Sequence, residues 1–131
     1  MYGNNGLNAY KNNSVNYASK EQLLLMLLDG SIKFSKIARE GLKENDIKKS
    51  HVNLVKVQDI FVELMVSIDQ NSGEWAKQMY KVYDFIKNKL FEINIKKDLK
   101  MMDEIMPVIE EVRSTWHEAY EISKRIKNRG V

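Results

Sequence analysis

The sequence predicts an all-α fold: an antiparallel up-down four-helix bundle preceded by a mobile N-terminal arm. Three observations carry this. The 131 residues include one proline and six glycines, and they are rich in Leu, Ile, Met, Lys and Glu, which suit helix interiors. Four long stretches repeat apolar residues every three or four positions, the period of an amphipathic helix. Short polar connections join those stretches, as in an up-down bundle. A chain of this length fits one domain and can bury about two-thirds of its unfolded surface. The expected organisation is an arm over residues 1–18, the bundle over 19–127 and a short tail over 128–131.

The arm is set apart by composition. Asn4, Asn5, Asn8, Asn12, Asn13 and Asn16 mix with Gly3, Gly6 and the tyrosines Tyr2, Tyr10 and Tyr17. Asn and Gly are poor helix formers, so the segment is not expected to fold alone. Leu7, Ala9, Tyr10, Val15 and Tyr17 would still let it dock on an apolar surface. It reads either as an unstructured leader or as an arm that shields a groove.

The first helix should start at Ser19-x-x-Gln22, a capping box in which each side chain satisfies the other's backbone N–H, and run to about Lys43. Six consecutive apolar residues, 23–28, follow that start. At about 100° per residue they cover every side of a helix, whereas a surface helix needs only one apolar stripe. Some face of this stretch therefore calls for cover from a chain tail or a partner. Leu24, Leu27, Ser31, Phe34, Ala38 and Leu42 form the expected inward stripe, with Leu23, Met26, Gly30 and Ile37 on another side.

The second helix, about 46–69, carries two rows. Ile47, Leu54, Val57, Phe61, Leu64 and Ile68 make the core seam. Val52, Val55, Val62 and Val66 lie roughly 150° away on the helical wheel. A neighbouring helix or the arm could cover this second row, or it could be an exposed groove awaiting a partner.

Residues 69–73, Asp-Gln-Asn-Ser-Gly, form the clearest loop. The third helix, about 74–94, turns Ala76, Met79, Tyr83, Ile86, Leu90 and Ile93 inward; Tyr80 and Phe91 flank that stripe and Phe85 points away. The fourth begins near Asp98 and uses Met102, Ile105, Ile109, Val112, Trp116, Ala119 and Tyr120. Pro107 lies inside this pattern and lacks a backbone donor, so a kink or a delayed start is expected there.

The chemistry of catalysis is sparse. His51 and His117 are the only histidines and there is no cysteine, so neither a disulfide framework nor a Cys-based zinc site is possible. A ferritin-like di-iron centre needs Glu three residues before His, but Lys48 and Ser114 stand there. Histidine-phosphotransfer bundles place Lys-Gly just after the reactive His, where this chain has Leu54-Val55 and Tyr120-Glu121. No glycine-rich phosphate loop or G-x-S-x-G elbow occurs. Asp103-Glu104 and Glu110-Glu111 are adjacent on helices and face apart. No enzyme activity, cofactor or metal is expected. Met26, Met65, Met79, Met101, Met102 and Met106 suit irregular cores and adaptable binding surfaces alike, and Met26 is the one that falls off the inward stripe.

The longest apolar run is far below the roughly 20 residues that span a bilayer, and no secretory signal is visible. A soluble, cytoplasmic protein is expected. The net charge of +3 is unevenly spread. Residues 1–20 carry Lys11 and Lys20 with no acid, and Lys124, Arg125, Lys127 and Arg129 cluster at the other end, while residues 21–123 hold 15 bases and 18 acids, a net of −3. A mildly acidic body with basic ends argues against nucleic acid as the partner, and a basic helix end suits the helix dipole.

Several segments then point to a family. Asn8-Ala9-Tyr10, Val15-Asn16 and Ala18-Ser19-Lys20-Glu21-Gln22-Leu23-Leu24, followed by Leu27-Leu28-Asp29-Gly30, resemble the opening of the flagellin-specific secretion chaperones known as FliS. Val57-Gln58-Asp59-Ile60, Tyr83-Asp84-Phe85, Ile93-Asn94-Ile95-Lys96 and Arg113-Ser114-Thr115-Trp116 fit in order and spacing, so the likeness covers about residues 8–120. Lys20 stands where the family usually has Pro, and Leu28 where Tyr is frequent.

The resemblance implies a cytosolic bundle that binds the disordered C-terminal segment of flagellin, prevents premature filament assembly and keeps the subunit competent for type III export, without consuming nucleotide. Further implied partners are the export apparatus or regulators, with neither nucleic acid nor membrane among them. Candidate partner-binding residues are Tyr10, Val15, Gln22, Leu23, Met26, Val52, Val55, Asp59, Val62 and Val66, and Leu7 and Tyr10 are candidates for a cap over the groove. A helical adaptor that binds some other amphipathic helix is the alternative.

Overall fold

The computed structural model describes residues 19–129, and these form four α-helices: α1 (Lys20–Lys43), α2 (Ile47–Ser67), α3 (Glu74–Lys96) and α4 (Leu99–Arg129), with a short 3₁₀ turn at Gln70–Ser72. No strand occurs among the described residues.

The helix starts are set by local chemistry. The capping box at Ser19 forms as the sequence predicts: the Ser19 hydroxyl accepts from the Gln22 backbone N–H, and the Gln22 side-chain oxygen accepts from the Ser19 N–H. Asp46 caps α2 by accepting from the Lys49 N–H, and the Asp98 carboxylate accepts from the Met101 N–H at the start of α4. The α1–α2 turn takes Asn45 into the left-handed region at φ 56°, which Asn tolerates better than most residues. Gly73 enters α3 at φ 141°.

Cross-helix pairs show the chain direction. Gly41 of α1 lies against Ser50 of α2, and Gly30 against Ile60, so residue numbers fall on one helix as they rise on the other. The same reversal links α2 to α3 (His51 with Asn94, Phe61 with Tyr83) and α1 to α4 (Arg39 with Asp103, Asp29 with Arg113). Each helix packs on its two chain-order neighbours, and α4 closes the ring onto α1. This is the predicted antiparallel bundle.

The core is drawn from all four helices: Leu28, Leu54, Phe61, Tyr83, Leu90 and Ile109 are fully enclosed. The seams expected on α2 and α3 hold from Leu54 to Leu64 and at Ala76, Tyr83, Ile86, Leu90 and Ile93. Two corrections concern phase. On α1 the enclosed line is Leu25, Leu28, Ser31, Ser35, Ala38 and Gly41, with Leu27 and Leu42, while Leu24 and Phe34 are only half-buried. At Gly41 the line has no side chain because α1 and α2 approach closely there: a Cβ on Gly41 would sit 2.6 Å from the Ser50 backbone nitrogen. At the start of α2, Ile47 is exposed rather than part of the seam.

Pro107 does not delay α4. The helix begins eight residues earlier and continues through it. Pro107 and Asp103, whose carbonyl loses its helical donor, both lie on the exposed side, where water can take the vacant position. Ala119 is also exposed, so the buried face of α4 ends with Val112 and the half-buried Trp116, His117 and Tyr120.

Candidate functional site

Among the described residues, two apolar surfaces lie on or between the packed helices and are left open by the bundle. The first is the outer face of α2. Val62 and Val66 are 44% and 77% exposed, Val52 is exposed, and Val55 and Asp59 are half-buried. At about 100° per residue these five fall within roughly 80° of one another. The neighbouring helices leave this row uncovered along most of its length. The hydrogen bond between the His51 and Asn94 side chains, 2.9 Å, sets the start of α2 against the end of α3. Counted from that pair, exposed Phe91 is level with Leu54 and exposed Ile95 with Ser50, which carries the apolar surface from α2 onto α3, while exposed Ile47 lies level with the end of α3.

Asp59 gives this face a polar centre. It lies one helical turn from Val55 and from Val62, and burial pushes its carboxyl above the ordinary value. No hydrogen-bond or ion-pair partner for it occurs among the described residues. A half-buried carboxylate without a counter-charge costs free energy in the fold, and a cation or N–H supplied from outside would relieve that cost.

The second surface is a groove of about 490 Å³ at the end of the bundle where α1 begins. Leu23, Leu24 and Leu27 of α1 line it together with Ile68, Trp75 and Trp116. Its aromatic wall is fixed by two contacts. The Trp116 indole N–H donates to the Tyr83 hydroxyl at 2.9 Å, and the Trp75 and Trp116 rings meet edge-on at 5.9 Å. Burial pushes the Tyr83 hydroxyl up to about 12, so it stays neutral and available as an acceptor. Trp75 itself is exposed.

The sequence-nominated residues divide accordingly. Val52, Val55, Asp59, Val62 and Val66 come together on α2. Leu23 joins the end groove, and Met26 lies half-buried one turn along α1. Gln22 is exposed, but its side chain is held in the capping box, and a partner contact would have to compete with that bond. Leu7, Tyr10 and Val15 lie outside the described residues. Sequence reasoning missed Trp75, Phe91, Ile95 and Ile47 as surface apolars. For Phe91 and Ile95 the signal was present, because both fall outside the Tyr83–Ile86–Leu90–Ile93 stripe. Among the described residues no cluster of His, Asp and Glu has the arrangement of a metal site, and no helix is long and apolar enough to cross a membrane.

A family profile described as flagellar protein FliS matches residues 3–123. The chain belongs to the FliS family. It is 32% identical to the flagellar secretion chaperone FliS of Bacillus subtilis, over 92% of this chain and 90% of that protein. It is 30% identical to the flagellar secretion chaperone FliS of Vibrio cholerae, over 84% and 85% of the two chains. A solved structure described as a flagellar chaperone from bacteria has the same fold, with a TM-score of 0.71 and 17% identity across 89% of this chain and 96% of that one. The family is thus one of flagellar secretion chaperones, as the motifs from Asn8 to Trp116 imply. The matched span includes both apolar surfaces and stops just before the basic residues that begin at Lys124.

Proposed function

We propose that this FliS-family chain is a cytoplasmic export chaperone that binds the disordered C-terminal segment of flagellin, blocks its premature polymerisation and holds it ready for flagellar type III secretion. The observation that carries the reading is the valine row of α2 with its unpartnered Asp59. The chain maintains an apolar surface that its own bundle does not use, within a family of secretion chaperones.

A segment that folds as it binds gives up ordering entropy, so it needs a long apolar contact for useful affinity. Residues spaced i, i+3, i+4 and i+7 on the incoming segment can lie along Val55, Val62 and Val66. A donor on that segment can reach Asp59. Masking the apolar side of the segment removes the surface it would otherwise use for assembly. This needs binding and release only, so no catalytic group, nucleotide or cofactor is invoked. Leu23 and Met26 extend the contact toward the end groove. We propose Leu7 and Tyr10 of the arm as a removable cover over part of it, with Tyr10 and Val15 as further contacts to the partner.

The test is calorimetric titration of the chain with the C-terminal peptide of its own flagellin, against an unrelated amphipathic peptide of equal length. Preferential binding of the flagellin peptide, lost when flagellin is truncated at its C-terminus, is the expected result. Equal binding of both peptides would replace the reading with a general helical adaptor.

A further inference from the structure

We propose that the last two turns of α4 form a docking site for an acidic amphipathic helix of a partner protein. These turns stand apart from the rest of the bundle. All of residues 121–128 are exposed, and Val112 is the last enclosed residue of α4. Ile122 and Ile126 are nevertheless apolar, 47% and 64% exposed. With exposed Ala119 they form a stripe within about 60° of the helical wheel. Arg125 and Lys127 flank the stripe on opposite sides, each about 90–110° from its centre, and Lys124 lies behind it.

The bases are only partly answered within the chain. Lys124 pairs with Glu121 at 3.8 Å. Lys127 acts on the first turn of α1 only through space: Glu21 is held below its ordinary value mainly by a backbone hydrogen bond, with the charge of Lys127 a smaller contributor. Arg125 has no ion pair among the described residues.

Charge selects the occupant. Residues 1–18 contain Lys11 and no acid, so they cannot answer its charge. A second copy of the same turns would set like charges against each other. The complement is a helix with an apolar stripe and carboxylates on its flanks, the pairing that basic and acidic flanking positions produce between helices. The contact is about two turns long, so it is small and releasable. Ile126 and the basic residues from Lys124 lie past the family-matched span, and the proposal is independent of the flagellin reading.

The test uses the full chain and a synthetic helical peptide with Leu along one stripe and Glu on both flanks. Its controls are the same peptide with Lys for Glu and vesicles of mixed phosphatidylglycerol and phosphatidylcholine. The Glu peptide should bind, the Lys peptide should not, and affinity should fall as salt rises. Two variants, Ile122→Ser with Ile126→Ser and Arg125→Gln with Lys127→Gln, should each weaken binding by about tenfold. Their melting temperature and flagellin-peptide affinity should be unchanged. Wild-type affinity in both variants, or no binding of the Glu peptide, overturns the proposal. Stronger binding to the vesicles assigns the site to a lipid surface, and self-association lost in the variants assigns it to a second copy; either outcome also overturns it.

Discussion

At the scale of single residues, Ser35 and Asp59 have no partner among the described residues, and this has different consequences at the two positions. The Ser35 hydroxyl of α1 is buried with no hydrogen-bond partner among the described residues, whereas Ser31 on the same line donates to the Leu28 carbonyl at 2.6 Å. An unmade buried hydrogen bond is a net cost. Ser35→Ala should therefore raise stability, by about 0.5–1 kcal/mol in chemical denaturation, with no effect on binding. Asp59 lies at the surface. Its folded-state carboxyl is raised by burial, so its protonated form is favoured in the fold. Stability from this group is full below the unfolded value and is lost as pH rises through the higher folded value. At neutral pH Asp59→Asn should thus stabilise the free protein by a few tenths of a kcal/mol after solvent screening, and it should weaken flagellin-peptide binding. A variant both less stable and unchanged in binding would remove Asp59 from the site.

At the scale of elements, legibility followed the clarity of the periodicity. α2 and α3 each have one dense apolar row, and Leu54, Val57, Phe61, Tyr83, Ile86 and Leu90 are enclosed as their spacing predicts. α1 was harder to phase. Six apolar residues in succession point in every direction, and the enclosed line includes the small residues Ser31, Ser35, Ala38 and Gly41, which hydropathy does not mark as core. Close approach of two backbones is a tertiary fact, visible only once Gly41 meets Ser50. The valine row could be read from sequence as a second stripe, but whether it was covered could not, because that depends on where α3 settles. The end groove was partly legible through Leu23, while Trp75 came from the loop edge and had no periodic partner to reveal it. Deleting residues 1–16 tests the remaining element. If the arm covers the groove, the deletion should increase dye binding and speed hydrogen exchange across residues 23–28. Unchanged protection there would show that the arm leaves this surface alone.

At the scale of the whole molecule, two polar clasps tie α4 back onto α1 and close the ring. Arg39 pairs with Asp103 at 2.5 Å. The Asp29 carboxylate accepts from Arg113 at 2.6 Å and from His117 at 3.2 Å. Burial opposes ionisation of Asp29, but the hydrogen bonds from Arg113 and His117 outweigh it and hold the carboxyl below its ordinary value. A lowered folded-state value means that the stability is present above the unfolded carboxylate range and is lost as pH falls through the folded value. Asp29→Asn should therefore lower the melting temperature slightly at neutral pH, and the gap from wild type should close in acid below about pH 4. A gap that is constant with pH would mean that Asp29 acts by packing alone. The central claim is that the bundle has one face for folding and another for cargo, both on α2. Leu54→Ala and Leu64→Ala should cost about 2–5 kcal/mol, as enclosed leucines do. The deciding measurement is flagellin-peptide affinity and melting temperature for Val62→Ser with Val66→Ser beside wild type. The account predicts affinity lower by about tenfold or more with a nearly unchanged melting temperature; unchanged affinity with lowered stability would show that the valine row belongs to the core.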